Sequence, residues 1–97
     1  MTKLSESEIE SALQGTPEWF ELNGEIQRTY QFETFVDAMQ FVNRVADVAE
    51  AQQHHPDILV RYNKVTLTLS THDAGGITDK DFDLARHADG FCDAAAN

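Results

Sequence analysis

The six residues Val65-Thr66-Leu67-Thr68-Leu69-Ser70 alternate apolar and polar without a break. Successive side chains of a strand point to opposite faces, so this pattern fits a strand with one face buried and one face wet. A helix would scatter the same residues around its circumference. Just before it, Ile58, Val60 and Tyr62 alternate in the same way, and Asn63-Lys64 is read as the turn of a hairpin. Lys64 is not the glycine that a two-residue turn prefers. A two-stranded hairpin is marginal by itself in water, so the rest of the chain must give it partners and a second layer.

A second hairpin lies upstream. Trp19 to Leu22 and Ile26 to Phe32 are strand-like, and Asn23-Gly24 between them is the strongest short hairpin signal. Ile26, Tyr30 and Phe32 alternate there with Gln27, Thr29 and Gln31.

Three segments have helical spacing. Ser5 and Glu8 form a capping box, Ile9 and Leu13 share a face, and Gly15-Thr16-Pro17 stops this first helix. Thr34 caps a long helix whose stripe is Phe35, Ala38, Met39, Val42, Val45, Ala46 and Ala49. Thr78 caps the last, with Asp81 at its third position and Leu84, Ala85, Ala88, Phe91, Cys92 and Ala95 as its stripe. The tail from Asp93 to Asn97 is expected to fray. The order is helix, two strands, helix, two strands, helix. For the hairpins to share one core they must pair. The expected fold is therefore α+β: an antiparallel four-stranded sheet with helices on one face, in one domain spanning 1–97.

Composition narrows the function classes. A net charge of −10 argues against nucleic acid or an anionic membrane as a partner, because both need a cationic surface. One cysteine, Cys92, excludes an internal disulfide framework and suits a reducing cytosol. It lies on the apolar stripe, as core rather than nucleophile. No apolar run is long enough for a membrane span, and no basic stretch followed by an apolar one suggests a signal peptide. The expected location is cytoplasmic.

Chemistry concentrates between Glu50 and Asp81, where three of the four histidines lie. His54 and His55 follow the long helical pattern and precede Pro56, which cannot continue a helix and pushes its neighbour into extended backbone. The pair therefore belongs to the turn between helix and strand. His72 follows the second strand of the hairpin, whose end returns beside the start of the first. The three imidazoles are expected to converge, and imidazole is the side chain best suited to moving protons near neutral pH. A His-His-Pro turn alone is more often structural, and His72 alone would be a loop histidine. Asp81 alone would stabilise a helix N-terminus, and Glu50 would be a solvated helix residue. His87 lies outside the cluster as a surface residue.

The spacing set changes that weighting. Glu50, three residues, His54-His55-Pro56, five residues, Tyr62, nine residues, His72, and then Asp81 resembles the pattern of the pterin-4a-carbinolamine dehydratase family. Tyr62-Asn63-Lys64-Val65 and Leu69-Ser70-Thr71-His72 are similar to family wording, and the resemblance covers nearly the whole chain. It implies dehydration of a 4a-hydroxytetrahydropterin to the quinonoid dihydropterin. His54 and His72 would be the proton-transferring pair and His55 would bind the leaving hydroxyl. Glu50 would orient a histidine, Pro56 would give an apolar wall, and Asp81 would support the cluster. Thr71, Asp73 and Ala74 would meet the polar edge of the pterin. The resemblance implies a homodimer or homotetramer and no metal or other cofactor. A different class, a non-catalytic dimerisation or assembly cofactor for another protein, is the alternative; retention of the full histidine set argues against it.

Three histidines and a carboxylate could also hold zinc, although adjacent histidines usually point apart. Dehydratase activity is expected to survive exhaustive chelation. Activity lost to a chelator and restored by zinc would put the metal reading first.

Overall fold

The computed structural model describes residues 2–96, with side chains as far as Cys92. The expectations for Ala95 as a stripe residue and for a fraying tail fall outside the described side chains. The elements are α1 (Glu6–Gln14), β1 (Phe20–Leu22), β2 (Glu25–Gln31), α2 (Phe35–Gln52), β3 (Asp57–Arg61), β4 (Lys64–Leu69) and α3 (Asp79–Ala96). The strands form one antiparallel sheet in the order β1-β2-β4-β3, so the two hairpins pair through β2 and β4. This is the expected α+β order.

Register follows from the alternation. Ile26 faces Leu69, Arg28 faces Leu67 and Tyr30 faces Val65, and all of these turn inward. Ile26, Tyr30, Val65, Leu67 and Leu69 are all buried against the helices. Burying one such aliphatic side chain stabilises by about 1.5–3 kcal/mol, which a one-residue slip would forfeit along the whole strand. The opposite face carries polar pairs, including a Thr29–Thr66 hydroxyl contact of 2.8 Å. Glycine is required at the β1–β2 turn, where Gly24 has φ of 80° and Asn23 precedes it at 54°.

Helix α1 has the full capping box at Ser5 and Glu8. The Ser5 backbone amide, and then its hydroxyl, hold the Glu8 carboxyl below its usual value. The buried face of α2 is rotated from the expected stripe. Ala38, Phe41, Val45 and Ala49 are buried, while Phe35 is about half exposed. Phe41 takes its place inside because two sheet aromatics receive it, Tyr30 at 4.6 Å and Phe32 at 5.1 Å between ring centres. On α3, Phe82 joins Leu84, Ala85 and Ala88 in the core.

Two boundaries also differ from expectation. The second hairpin turns at Tyr62-Asn63, because Arg61 pairs with Lys64. Tyr62 is therefore not a strand residue; it sits at φ 54° and is 70% exposed. Asn63 fixes this turn by exchanging bonds with Phe32, whose N–H donates to the Asn63 carbonyl at 2.8 Å and whose carbonyl accepts from Asn63 Nδ2 at 2.8 Å. The long helix ends at Gln52, before the histidines are reached.

One carboxylate fastens α3 to the sheet. Asp89 Oδ1 accepts from Trp19 Nε1 at 2.9 Å, Arg28 Nη1 at 2.7 Å and the Tyr30 hydroxyl at 2.5 Å. The Arg28 guanidinium also lies 4.2 Å over the Tyr30 ring. An arginine on the inner face of β2 is tolerated because this carboxylate neutralises it. Burial, and then the bond to Asp89, push the Tyr30 phenol far above the ordinary tyrosine range. Asp89→Ala would leave two buried donors and a cation without their acceptor. It is expected to lower stability by about 2–3 kcal/mol, read as a shifted urea midpoint in the fluorescence of Trp19; an unchanged midpoint would refute the role.

Candidate active site

The end of α2 sets the histidine pair. Gln53 adopts the left-handed conformation (φ 52°, ψ 44°). Its N–H donates to the Glu50 carbonyl at 3.2 Å, and the His54 N–H donates to the Ala49 carbonyl at 3.0 Å. This is a Schellman closure with glutamine where glycine is usual, at a cost of about 1–2 kcal/mol. The chain turns sharply there, so His54, His55 and Pro56 form the extended link into β3. The pair lies on that link, as expected, although the helix ends at Gln52 and does not run on to Pro56.

His72 is held from the other side. It opens a 3-10 turn, His72–Ala74, directly after β4. The turn is closed by exchanged backbone bonds between Thr71 and Gly76 and by Gly75 at φ 76°. Because β3 and β4 are antiparallel, with Asp57 beside Thr68, the end of β4 lies next to the start of β3. One open cleft of about 250 Å³ is therefore lined by Gln53, His54, His55, Ser70, Thr71, His72, Asp73 and Lys80. All three motif histidines share it.

The histidines have unequal surroundings. His54 is only 8% exposed, and its Nε2 lies 2.5 Å from Oδ1 of the fully buried Asp81. Asp81 Oδ2 accepts from the Thr78 N–H at 2.9 Å and from the Thr71 hydroxyl at 3.0 Å. The Thr71 and Thr78 hydroxyls are 2.7 Å apart, and Thr78 also receives the Lys80 N–H at 3.3 Å. Thr78 thus caps α3, and Asp81 serves both the helix N-terminus and His54. His55 is exposed, and its Nε2 meets Glu50 Oε2 at 2.8 Å. Such a solvated pair orients the ring but contributes little stability. His72 is exposed at the cleft.

Of the other expected residues, Asp73 lines the cleft, while Pro56 and Ala74 flank it without forming its walls. The Thr71 hydroxyl is turned toward Thr78 and Asp81, and its backbone N–H and carbonyl are bonded to Gly76 and Ala74, so Thr71 shapes the cleft wall and presents no free polar group there. His87 lies outside, with Nδ1 against the Asp83 carbonyl at 2.9 Å. Among the described residues no group of three or more histidine, cysteine or acidic side chains is arranged to hold a metal ion.

Gln53, Ser70 and Lys80 are cleft residues that periodicity does not reveal. Only Lys80 carried a signal: a cation in the first turn of a helix opposes the local dipole. The cleft can give and take protons at three imidazoles of graded burial, beside one cation and one carboxylate.

Comparison with known proteins identifies the family and the fold. Residues 2–91 match the family model described as pterin 4 alpha carbinolamine dehydratase. A protein of Picosynechococcus sp. named "Putative pterin-4-alpha-carbinolamine dehydratase" is 52% identical over 84 residues, covering 87% of this chain and 91% of its own. One of the same name from Chloroflexus aurantiacus is 53% identical over 89 residues, covering 92% and 96%. The crystal structure of a transcriptional coactivator/pterin dehydratase from Brucella melitensis superposes with a TM-score of 0.91 at 33% identity, over 94% of this chain and 99% of that one. A pterin dehydratase-like RuBisCO assembly factor, at 17% identity and a TM-score of 0.63, shares the fold. The chain belongs to the pterin 4 alpha carbinolamine dehydratase family.

Proposed function

We propose that this protein dehydrates a 4a-hydroxytetrahydropterin to the quinonoid dihydropterin and water, in tetrahydropterin recycling. The observation that carries this reading is the single cleft shared by His54, His55 and His72 in a chain of this family. The reaction needs little beyond proton movement. The 4a-hydroxyl leaves as water once it is protonated, and the proton on ring N5 must be accepted as the C4a–N5 double bond forms. Two imidazoles on either side of that bond perform both tasks, each contributing about 10² to 10⁴ in rate. His54 and His72 form the proton-transferring pair. His55, oriented by Glu50, binds the leaving hydroxyl. Asp73, beside His72 in the cleft wall, meets the polar edge of the pterin.

We further propose a cytoplasmic homo-oligomer, a homodimer or homotetramer, with the dimer favoured. The described helices leave one sheet face uncovered, and β3 is an edge strand whose Leu59 is 56% exposed and Ile58 36%. An edge of this kind is a natural pairing surface. The Brucella relative is named as a transcriptional coactivator as well as a pterin dehydratase, so a protein-binding role is the second reading for this chain.

The test is turnover of generated 4a-carbinolamine, corrected for spontaneous dehydration. His54→Ala, His55→Ala and His72→Ala should each fold and lose roughly tenfold or more in rate, and His87→Ala should match the wild type. Three folded, fully active motif variants would overturn the assignment. Light scattering at micromolar protein should give a mass above the 10.9 kDa monomer, and a monomer mass would count against assembly.

A further inference from the structure

Asp81 makes more contacts than helix capping requires. Capping needs one oxygen on the Thr78 N–H, and Oδ2 supplies it. Oδ1 is committed to His54 Nε2 at 2.5 Å, and the residue is completely buried although it lies in the first turn of a helix. A solvated capping carboxylate would serve α3 equally well. Burying one is costly unless every lone pair is used, and here both oxygens are engaged. The donors come from three places in the chain. His54 comes from the link after α2, Thr78 from the start of α3, and Thr71 from the residue before His72.

We propose that Asp81 is the positioning residue of the histidine cluster. Its Oδ1 keeps the proton of neutral His54 on Nε2, which leaves Nδ1 as the acceptor nitrogen for the cleft. Its Oδ2, through the Thr71 hydroxyl, anchors the chain from which His72 projects. One carboxylate thereby sets the tautomer of one imidazole and the placement of another. The tautomer follows from donor and acceptor counting. An ionised carboxylate only accepts, so the ring nitrogen facing it must carry hydrogen. The role in catalysis rests on the dehydratase reading, whereas the tautomer does not.

Nitrogen-15 NMR of the labelled protein, at a pH where the imidazoles are neutral, decides the first half. His54 is expected as the Nε2–H tautomer. Asp81→Asn keeps the shape, but the Thr78 N–H still requires the amide oxygen, so the amide N–H₂ turns to His54. His54 should then switch to the Nδ1–H tautomer. In the dehydratase assay kcat should fall roughly tenfold or more, with KM nearly unchanged. Wild-type His54 found as Nδ1–H would overturn the proposal without any assay, as would an unswitched tautomer in folded Asp81→Asn.

Thr71→Val and Thr71→Ser test the second half and do not depend on Asp81→Asn folding. Thr71→Val should lower kcat about two- to tenfold, the loss of one hydrogen bond, and Thr71→Ser should restore it. A rise in KM alone would make Thr71 a substrate contact and overturn the coupling. If wild-type protein does not turn over carbinolamine, the function fails, and the tautomer experiment still judges Asp81.

Discussion

Everything in this molecule hangs from the register of β2 against β4. That pairing joins the two hairpins, and its inner face is made of Ile26, Tyr30, Val65, Leu67 and Leu69. Since side chains alternate between faces, a slip by one residue would bring Thr66 and Thr68 into the core and put three aliphatics in water. No smaller adjustment is open to the sheet. With β4 fixed, its last residue fixes Thr71 and the turn that carries His72. With β3 paired to β4, the link holding His54 and His55 is brought to the same end of the sheet. The cleft is thus a consequence of strand pairing and does not need a long loop to build it.

Two carboxylates on α3 convert this layout into a rigid one. Asp89, near the middle of the helix, collects Trp19, Arg28 and Tyr30 from the first hairpin and the residue before it, and Asp81 collects His54, Thr71 and Thr78 at the helix start. The two positions are about 12 Å apart along the helix axis. Each is a point where burial forces pairing, because an unpaired carboxylate or donor inside the protein costs more than a well-made hydrogen bond returns. The helix is therefore held at its start and near its middle by polar contacts, and between them by Phe82, Leu84, Ala85 and Ala88. His55 and Glu50, by contrast, sit in solvent, where a charge pair is weak and adaptable. The cluster combines one fixed imidazole with two exposed ones.

Much of this was legible in the chain, and the parts that were not have physical causes. Asn23-Gly24 marked its turn because φ above zero at both positions demands such residues, and Ser5 with Glu8 marked a helix start by a reciprocal bond between near neighbours. The second turn was misplaced by one residue because Asn63 acts there through a distant partner, the Phe32 backbone. The α2 stripe was rotated because Phe35 and Phe41 are equally apolar, and only the position of Tyr30 and Phe32 selects between them. The helix end at Gln53 lacked a glycine to announce it.

The amino-acid sequence by itself determined the element order, the one-sided sheet and the convergence of His54, His55 and His72. These depend on periodicity and on antiparallel return, which are properties of neighbours along the chain. Tertiary structure alone decided that Asp81 is buried and bonded to His54, that the Thr71 hydroxyl turns inward, and that Lys80, Gln53 and Ser70 wall the cleft. It also decided that Arg28 can occupy the core face of β2. Each of these joins residues far apart in the chain, and a buried polar group takes its meaning from the partner that packing delivers to it.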